Sequence, residues 1–425
     1  MDANLTASFT SAFTAAFLAA LALSTLARLW LALRQVRHVA AHRESVPAEF
    51  AGSISLASHQ KAADYSVAKT RLGMIDIVLG ALILLGLTLG GGLQWIASAW
   101  ATLLEPQGYW HGVALVLSVT FLYSVIELPV TLYRTFVVEA RFGFNRMTLA
   151  LFLADAAKQA LVGLVLGVPL LLLVLWLMER MGELWWLWVW VAWMGFNLMI
   201  LMVYPTFIAP LFNKFSPLED ASLAERIDAL LARCGFRAQG LYVMDGSKRS
   251  SHGNAYFTGF GAAKRIVLFD TLLSRLAPAE VEAVLAHELG HFRRHHIWKR
   301  VALLFTMSLA MLWGLGRLIG EAWFYAGLNV QSQGTAMALL LFFLVLPVFT
   351  FFFQPLGSLY SRRHEFEADA YAAEHAPAAD LVRALVKLYQ DNAATLTPDP
   401  LHSAFYDSHP PASARIARLQ KLAPA

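Results

Sequence analysis

The sequence is short of charge. Only 15% of its 425 residues are Asp, Glu, Lys or Arg, against 58% hydrophobic residues. Soluble domains usually carry about 25% charged residues, so this composition points to lipid as the main solvent. Cysteine is almost missing too. The lone Cys234 excludes an intramolecular disulfide framework and any cysteine-built zinc site. It closes an apolar helical stretch that starts near Ile227, where a small core side chain is its expected role. No basic n-region precedes the first apolar run, and that run is too long for a signal h-region, so it reads as a retained first span. No internal repeat is visible, and nucleic acid is not among the expected partners.

What the chain has is apolar length. Seven segments, at about 8–33, 72–100, 112–132, 159–178, 184–207, 301–324 and 336–356, can cross a bilayer core of about 30 Å. Thirteen tryptophans and 28 phenylalanines suit aromatic belts at the membrane interfaces. Gly90-Gly91-Gly92 should weaken or bend the second segment. Basic residues gather in alternate connections. Arg37, Arg43, Lys61, Lys69 and Arg71 follow the first span, and Arg134, Arg141, Arg146 and Lys158 follow the third. The segment after the fifth span is rich in Lys and Arg, and the tail opens with Arg362-Arg363. The opposite connections hold only Arg180, so the positive-inside rule puts the basic face in the cytoplasm and the N-terminus outside.

Two stretches look water-soluble. One reads as a small α+β module: a helix at 222–234 with Leu223, Ile227, Leu230 and Leu231 on one face, short strands at 240–244, 254–260 and 265–269, then a helix opened by Pro278 and running through Phe292. The other is the mostly helical tail. The expected division is 1–212 for an N-terminal membrane region with five spans and 213–300 for the cytoplasmic module. Residues 301–358 supply two further spans, and 359–425 a helical region that completes the site. The fold class is mainly α: a polytopic membrane protein with seven transmembrane helices and a small α+β domain.

The chemistry lies in His287-Glu288-Leu289-Gly290-His291. Histidines four apart on a helix share a face and can grip one zinc ion. Glu288, one step round, can reach a water whose pKa that ion lowers, and take its proton. The bland alternative is a polar helix end with scattered histidines, of which His295-His296 is a nearby example. The apolar stripe of Val281, Val284, Leu285 and Leu289 argues instead for a packed helix. Catalytic zinc usually takes three protein ligands and keeps a fourth position open. No histidine extends the motif in the metzincin manner. Further along, Glu365 and Asp369 stand four apart on one helical face, with Glu367 pointing elsewhere. Such a pair suits one ligand carboxylate and another that orients a zinc-bound histidine. A solvated, charged helix just past the membrane fits that spacing equally well.

From about residue 50 to 419 the chain resembles the type I CAAX prenyl endopeptidases, relatives of the bacterial HtpX-type membrane proteases and zinc enzymes with a gluzincin-like site. The resemblance rests on Leu285-Ala286-His287-Glu288-Leu289-Gly290-His291, on the run from Ser361 to Ala370, and on Ser408-His409-Pro410-Pro411 followed by Arg415. Asn254-Ala255-Tyr256 and the loop from Glu139 to Asn145 add to it. It implies one zinc ion per chain, held by His287, His291 and Glu365, with Asp369 behind the ligands and Arg415 as its basic partner. It implies that Glu288 is the general base, that His409 steadies the oxyanion, and that Asn254-Ala255 align the substrate backbone on an edge strand. His402 is the weaker alternative to His409, with a structural role expected. The resemblance also implies a large aqueous chamber between the spans, which Asp76, Glu127 and Asn197 fit as lining.

The expected function is therefore a membrane metalloendopeptidase that cuts near the C-termini of small or lipid-linked peptide substrates, embedded among membrane lipids. The alanine-rich composition suggests a bacterial inner membrane. A quality-control protease of the HtpX kind is the alternative, and a zinc-stabilised scaffold or transporter without hydrolysis a weaker one. The intact Glu288 argues against the last, since a structural site needs no base there.

Overall fold

The computed structural model describes residues 3–258 and 265–422. Seven of its helical segments are long and apolar enough to cross a bilayer: Thr6–Ala41, Leu56–Leu87, Tyr109–Glu139, Leu149–Arg180, Gly182–Phe212, His296–Leu318 and Thr335–His375. Their number matches the hydropathy reading. Several boundaries do not, those of the second and sixth spans for clear reasons. The second span is not 72–100, because a helix runs over Leu56–Leu87 and a separate short one over Gly92–Trp100. Gly91 between them sits at φ 76°, which favours glycine, and a Cβ on Gly90 or Gly92 would come within 2.7 or 2.8 Å of the Gly86 carbonyl oxygen. The helix also begins well before residue 72, since Lys61, Lys69 and Arg71 do not interrupt helical geometry even though they end the apolar run. The sixth span likewise stops at Leu318, and Ala322–Ala326 is a separate short helix.

The spans pack around Phe17, Leu84, Leu115, Leu175, Val189, Leu315 and Leu341, one from each of the seven. Gly112 allows the closest approach, since a Cβ there would lie 2.8 Å from Ala336 and 2.9 Å from Leu175. A cavity of about 1160 Å³ opens among the third to seventh spans, walled chiefly by apolar side chains such as Leu117, Phe121, Leu164 and Met311. Of the three residues expected in an aqueous lining, Glu127 lines it. Asp76 instead pairs with Arg134 of the third span, and the Asn197 amide donates to the Trp193 carbonyl at 2.7 Å.

The two water-soluble stretches form one body. Leu223, Ile227 and Leu230 of the helix Ala221–Arg233 pack in the same core as Val281, Leu285 and Leu289, and as Tyr371, Leu381 and Leu419. Cys234 lies in that core, as expected. The strands are β1 (Phe215–Pro217), β2 (Gly240–Met244), β3 (Ala255–Thr258) and β4 (Arg265–Phe269). They pair in the order β1-β2-β4-β3, with β2 and β4 parallel and the outer pairs antiparallel. β1 escaped the sequence reading because it is three residues long and contains Pro217, which suits only an edge strand. The strand expected at 254–260 is described to Thr258, and its last two residues lie outside the described part.

Charged and aromatic contacts seat this body on the spans. Arg249 donates to both oxygens of Asp155 on the fourth span, at 2.7 and 2.9 Å. Arg34 of the first span bonds Asp399 at 2.9 Å, and Phe144 stacks on His252 with ring centroids 4.5 Å apart.

Candidate active site

The motif helix, Pro278–Arg293, starts where the sequence signals it. Pro278 occupies the first turn, and the Glu280 carboxylate accepts from the Ala277 amide at 2.7 Å. Val281, Leu285 and Leu289 are buried, which turns His287 and His291 towards the helix Gln354–His375. That acidic helix is the last part of the seventh helical segment, continuing from Thr335–Thr350 through one turn at Phe351–Phe353. Gly290 lets the two helices touch: a Cβ there would sit 2.9 Å from the Ala368 Cα and 3.0 Å from its carbonyl oxygen. The glycine of the motif thus sets the spacing of the site.

Glu365 arrives between the two histidines. Its carboxylate oxygens lie 3.4 Å from the Nε2 atoms of His287 and of His291, and those two nitrogens are 3.3 Å apart. All three side chains offer ligand atoms within 4.8 Å of one another. Oε2 of Glu365 is buried and has no close hydrogen bond, only His287 Nε2 at 3.4 Å and the Arg415 guanidinium at 3.7 Å, a loosely answered carboxylate that a cation would complete. Two nitrogens and one carboxylate converging this way fit a tetrahedral ion with one position left open.

Behind His287, Nδ1 lies 2.9 Å from Asp369, whose oxygens accept from Arg415 at 2.9 and 2.5 Å. Burial presses the His287 pKa down, but its hydrogen bonds to Asp369 and Glu365 outweigh this and carry it up to about 9. The carboxylates thus favour positive charge at this edge of the pocket. Burial, then the charge of His287, push His291 down to about 3, leaving a neutral imidazole with a lone pair to give. Burial also raises Glu288, which makes its carboxylate a stronger base.

A cleft of about 520 Å³ opens on this cluster. His287, Glu288, Glu365, His409 and Arg415 line it, together with Asn254 and Ala255. His409 Nε2 is 3.5 Å from Glu365, and its side chain stays 62% exposed. Ala255 opens β3, the outermost strand on its side of the sheet. His402 does not line the cleft; its backbone caps on Asp399 and its ring lies against Tyr406. Every residue singled out for the site therefore meets at one cleft, apart from His291, which touches its floor through Glu365 and His287, and Asp369, which stands behind His287.

Sequence reasoning missed His296 and Glu367. His296 is 1% exposed, its Nδ1 is 3.0 Å from Nδ1 of His291, and its Nε2 is 3.0 Å from Glu367. Glu367 does leave the face shared by Glu365 and Asp369, but it turns towards His296 rather than solvent. Only the left-handed break at His295, φ 56°, brings His296 back to the motif.

Comparison with known proteins adds a lineage. Residues 35–214 match the family described as CAAX prenyl protease N-terminal, five membrane helices, and residues 217–423 match peptidase family M48. The chain is 33% identical to the CAAX prenyl protease 1 homolog of Arabidopsis thaliana, covering 91% of this chain and 92% of the relative. It is 32% identical to the Homo sapiens homolog, covering 95% and 94%. The crystal structure of S. mikatae Ste24p superposes with a TM-score of 0.88 at 29% identity, covering 97% of this chain and 99% of that one.

Proposed function

The chain belongs to peptidase family M48, among the CAAX prenyl proteases, and from that premise we propose that it is a zinc enzyme whose ligands are His287, His291 and Glu365. It is an integral, multi-pass membrane metalloendopeptidase that acts on peptide or protein substrates. The observation that carries the zinc reading is the buried Glu365 carboxylate, whose two oxygens each lie 3.4 Å from a different imidazole Nε2 at the floor of an open cleft. A zinc ion held there supplies Lewis acidity, polarising a carbonyl and acidifying water.

The chain's own groups do the rest. Glu288, in the cleft and raised by burial, takes the proton of the attacking water and passes it to the leaving amine. Asp369, fixed by Arg415, accepts from His287 Nδ1–H and leaves Nε2 free to bind the metal. His409 reaches over Glu365 on the open side, where an imidazole N–H can meet the developing oxyanion. Asn254 and Ala255 begin the outer strand, where an extended substrate adds its backbone by β-augmentation.

The division into 1–212, 213–300, 301–358 and 359–425 stands as our proposal for domains, with the second and fourth segments sharing one core. The basic connections support a cytoplasmic site, and the alanine-rich sequence supports a bacterial inner membrane as its setting. For substrates we favour lipid-linked chains cut near their C-termini. The support is the apolar cavity among the spans together with the relatives' printed name, CAAX prenyl protease.

The test uses the purified full chain in detergent. Glu288→Gln should keep its zinc while kcat/KM falls about 10²–10⁴-fold, the usual contribution of a positioned base. Chelation should abolish turnover by the parent and added zinc restore it. Retained hydrolysis by metal-free protein or by Glu288→Gln would sink the mechanism. Zinc held as tightly by Glu365→Ala as by the parent would remove Glu365 from the ligand set. Prenylated and unprenylated versions of one peptide, cut at equal rates, would remove the lipid preference.

A further inference from the structure

His287 has an anchor in Asp369. The structure assigns one to His291 as well: we propose that His296 and Glu367 form a positioning arm that fixes the tautomer and angle of His291. The inference rests on the reading of His291 as a metal ligand.

The geometry leaves each atom one role. Nε2 of His291 faces Glu365 and His287, so it must present its lone pair there, and the ring hydrogen belongs on Nδ1. Nδ1–H of His291 then donates to Nδ1 of His296, 3.0 Å away. That makes His296 Nδ1 the acceptor, puts its hydrogen on Nε2, and sends Nε2–H to the Glu367 carboxylate at 3.0 Å. A chain of two imidazoles ending on a carboxylate has no second arrangement that leaves His291 Nε2 free.

The arm is held as firmly as the ligand. His296 is 1% exposed, and its ring stacks on His364 with centroids 4.0 Å apart and planes 10° from parallel. The other Glu367 oxygen accepts from Arg363 Nε at 3.1 Å, which fixes the carboxylate. The chain pays for the placement with a non-glycine residue in the left-handed region, His295 at φ 56°. In an unbroken helix, position i+5 would stand well off the face shared by His287 and His291. The break is what returns His296 to that face.

The two arms differ in kind. That of His287 is short and ionic, through Asp369 and Arg415, whereas that of His291 runs through a second imidazole. Removing an outer partner of a metal-bound histidine typically costs 10–100-fold in metal affinity.

The experiment titrates metal-free, detergent-purified full chain with zinc against a chromophoric chelator, and records the absorption of the cobalt form. His296→Leu should weaken zinc binding about 10–100-fold and shift the cobalt bands. His296→Asn, whose amide oxygen can accept where Nδ1 did, should recover most of both. Glu367→Leu and Glu367→Gln form a second pair at a less buried position, with loss and recovery in the same order, should His296→Leu fail to fold. A merely structural His296 would lower the thermal midpoint in both His296 variants and leave affinity and cobalt spectrum within about threefold of the parent. That result, or equal metal loss in His296→Leu and His296→Asn, overturns the arm. His291→Ala run alongside separates the two claims. If it too holds zinc as the parent does, the ligand reading itself fails; if it alone releases zinc, only the arm does.

Discussion

The spans and the peptidase body treat charge in opposite ways. Across the five N-terminal spans, Asp155 is the one acid buried among the described residues, and large apolar side chains face outward, Leu26 at 64% exposure and Leu161 at 63%. The peptidase body buries Glu280, Glu282, Glu365, Asp369 and Arg415 instead. Apolar surface in lipid brings no hydrophobic driving force, so the spans depend on shape, as at Gly112. In water the body can bury charge only where each charge is answered. Lys387 answers Glu280 at 2.7 Å, Arg226 and Arg233 answer Glu282, and Arg415 answers Asp369. Glu365 is answered least closely, by Arg415 at 3.7 Å and by imidazoles at 3.4 Å, and that loose setting marks the place where the body expects a cation.

The comparison is broken most directly at Arg415. Burial works against its charge, and the bonds to Asp369 more than compensate, so the two stand or fall together. Arg415→Leu leaves Asp369 buried with His287 alone to answer it, which should cost up to about 3–5 kcal/mol. The readout is the thermal midpoint of the metal-free protein, so that lost zinc does not enter. A midpoint unchanged by Arg415→Leu would mean that the body tolerates poorly answered charges and that the loose setting of Glu365 says nothing about metal.

The joint between the two regions should come next. Asp155 projects from a span, yet it accepts two bonds from Arg249 of the peptidase body. Asp155→Asn keeps the shape and removes the charge, at an expected cost of about 1.5–3 kcal/mol for bonds to an ionised group. The midpoint again checks it. An effect as large as that of Arg415→Leu would show that the spans obey the rules of the body, and the contrast would narrow to solvent exposure alone.

How much of this was legible follows the range of the interactions. The spans and the motif helix are local: hydropathy counted seven crossings, and the stripe of Val281, Leu285 and Leu289 told which face is buried. The limits of the second span were not, because the helix continues past the apolar run and the stop around Gly91 depends on Gly90 and Gly92 closing on the Gly86 backbone. Glu365 was one of two even readings on spacing, since the distance from His287 to Glu365 in sequence carries no periodic signal. The resemblance, not the spacing, pointed to it, to His409 and to Arg415. His296 was visible as a histidine and dismissed as one. Its link to His291 depends on one left-handed residue, and its link to Glu367 on a packing that Gly290 permits.

The smallest effect belongs on the lipid face. Leu26 lies mid-helix in the first span and is 64% exposed, so lipid rather than protein should cover its side chain. Shortening a buried leucine leaves a cavity whose walls lose their contacts. Acyl chains are fluid and close over the missing carbons, so Leu26→Ala opens no lasting void, and its cost should stay within about 0.5 kcal/mol, as for an ordinary surface change. The measurement is the midpoint in lipid nanodiscs, where acyl chains are present to fill the space. A loss above about 2 kcal/mol would have the size of a core deletion. Leu26 would then be packed against protein, a second copy of the chain being the simplest cover, and the outer surface of the spans would have to be counted as interior.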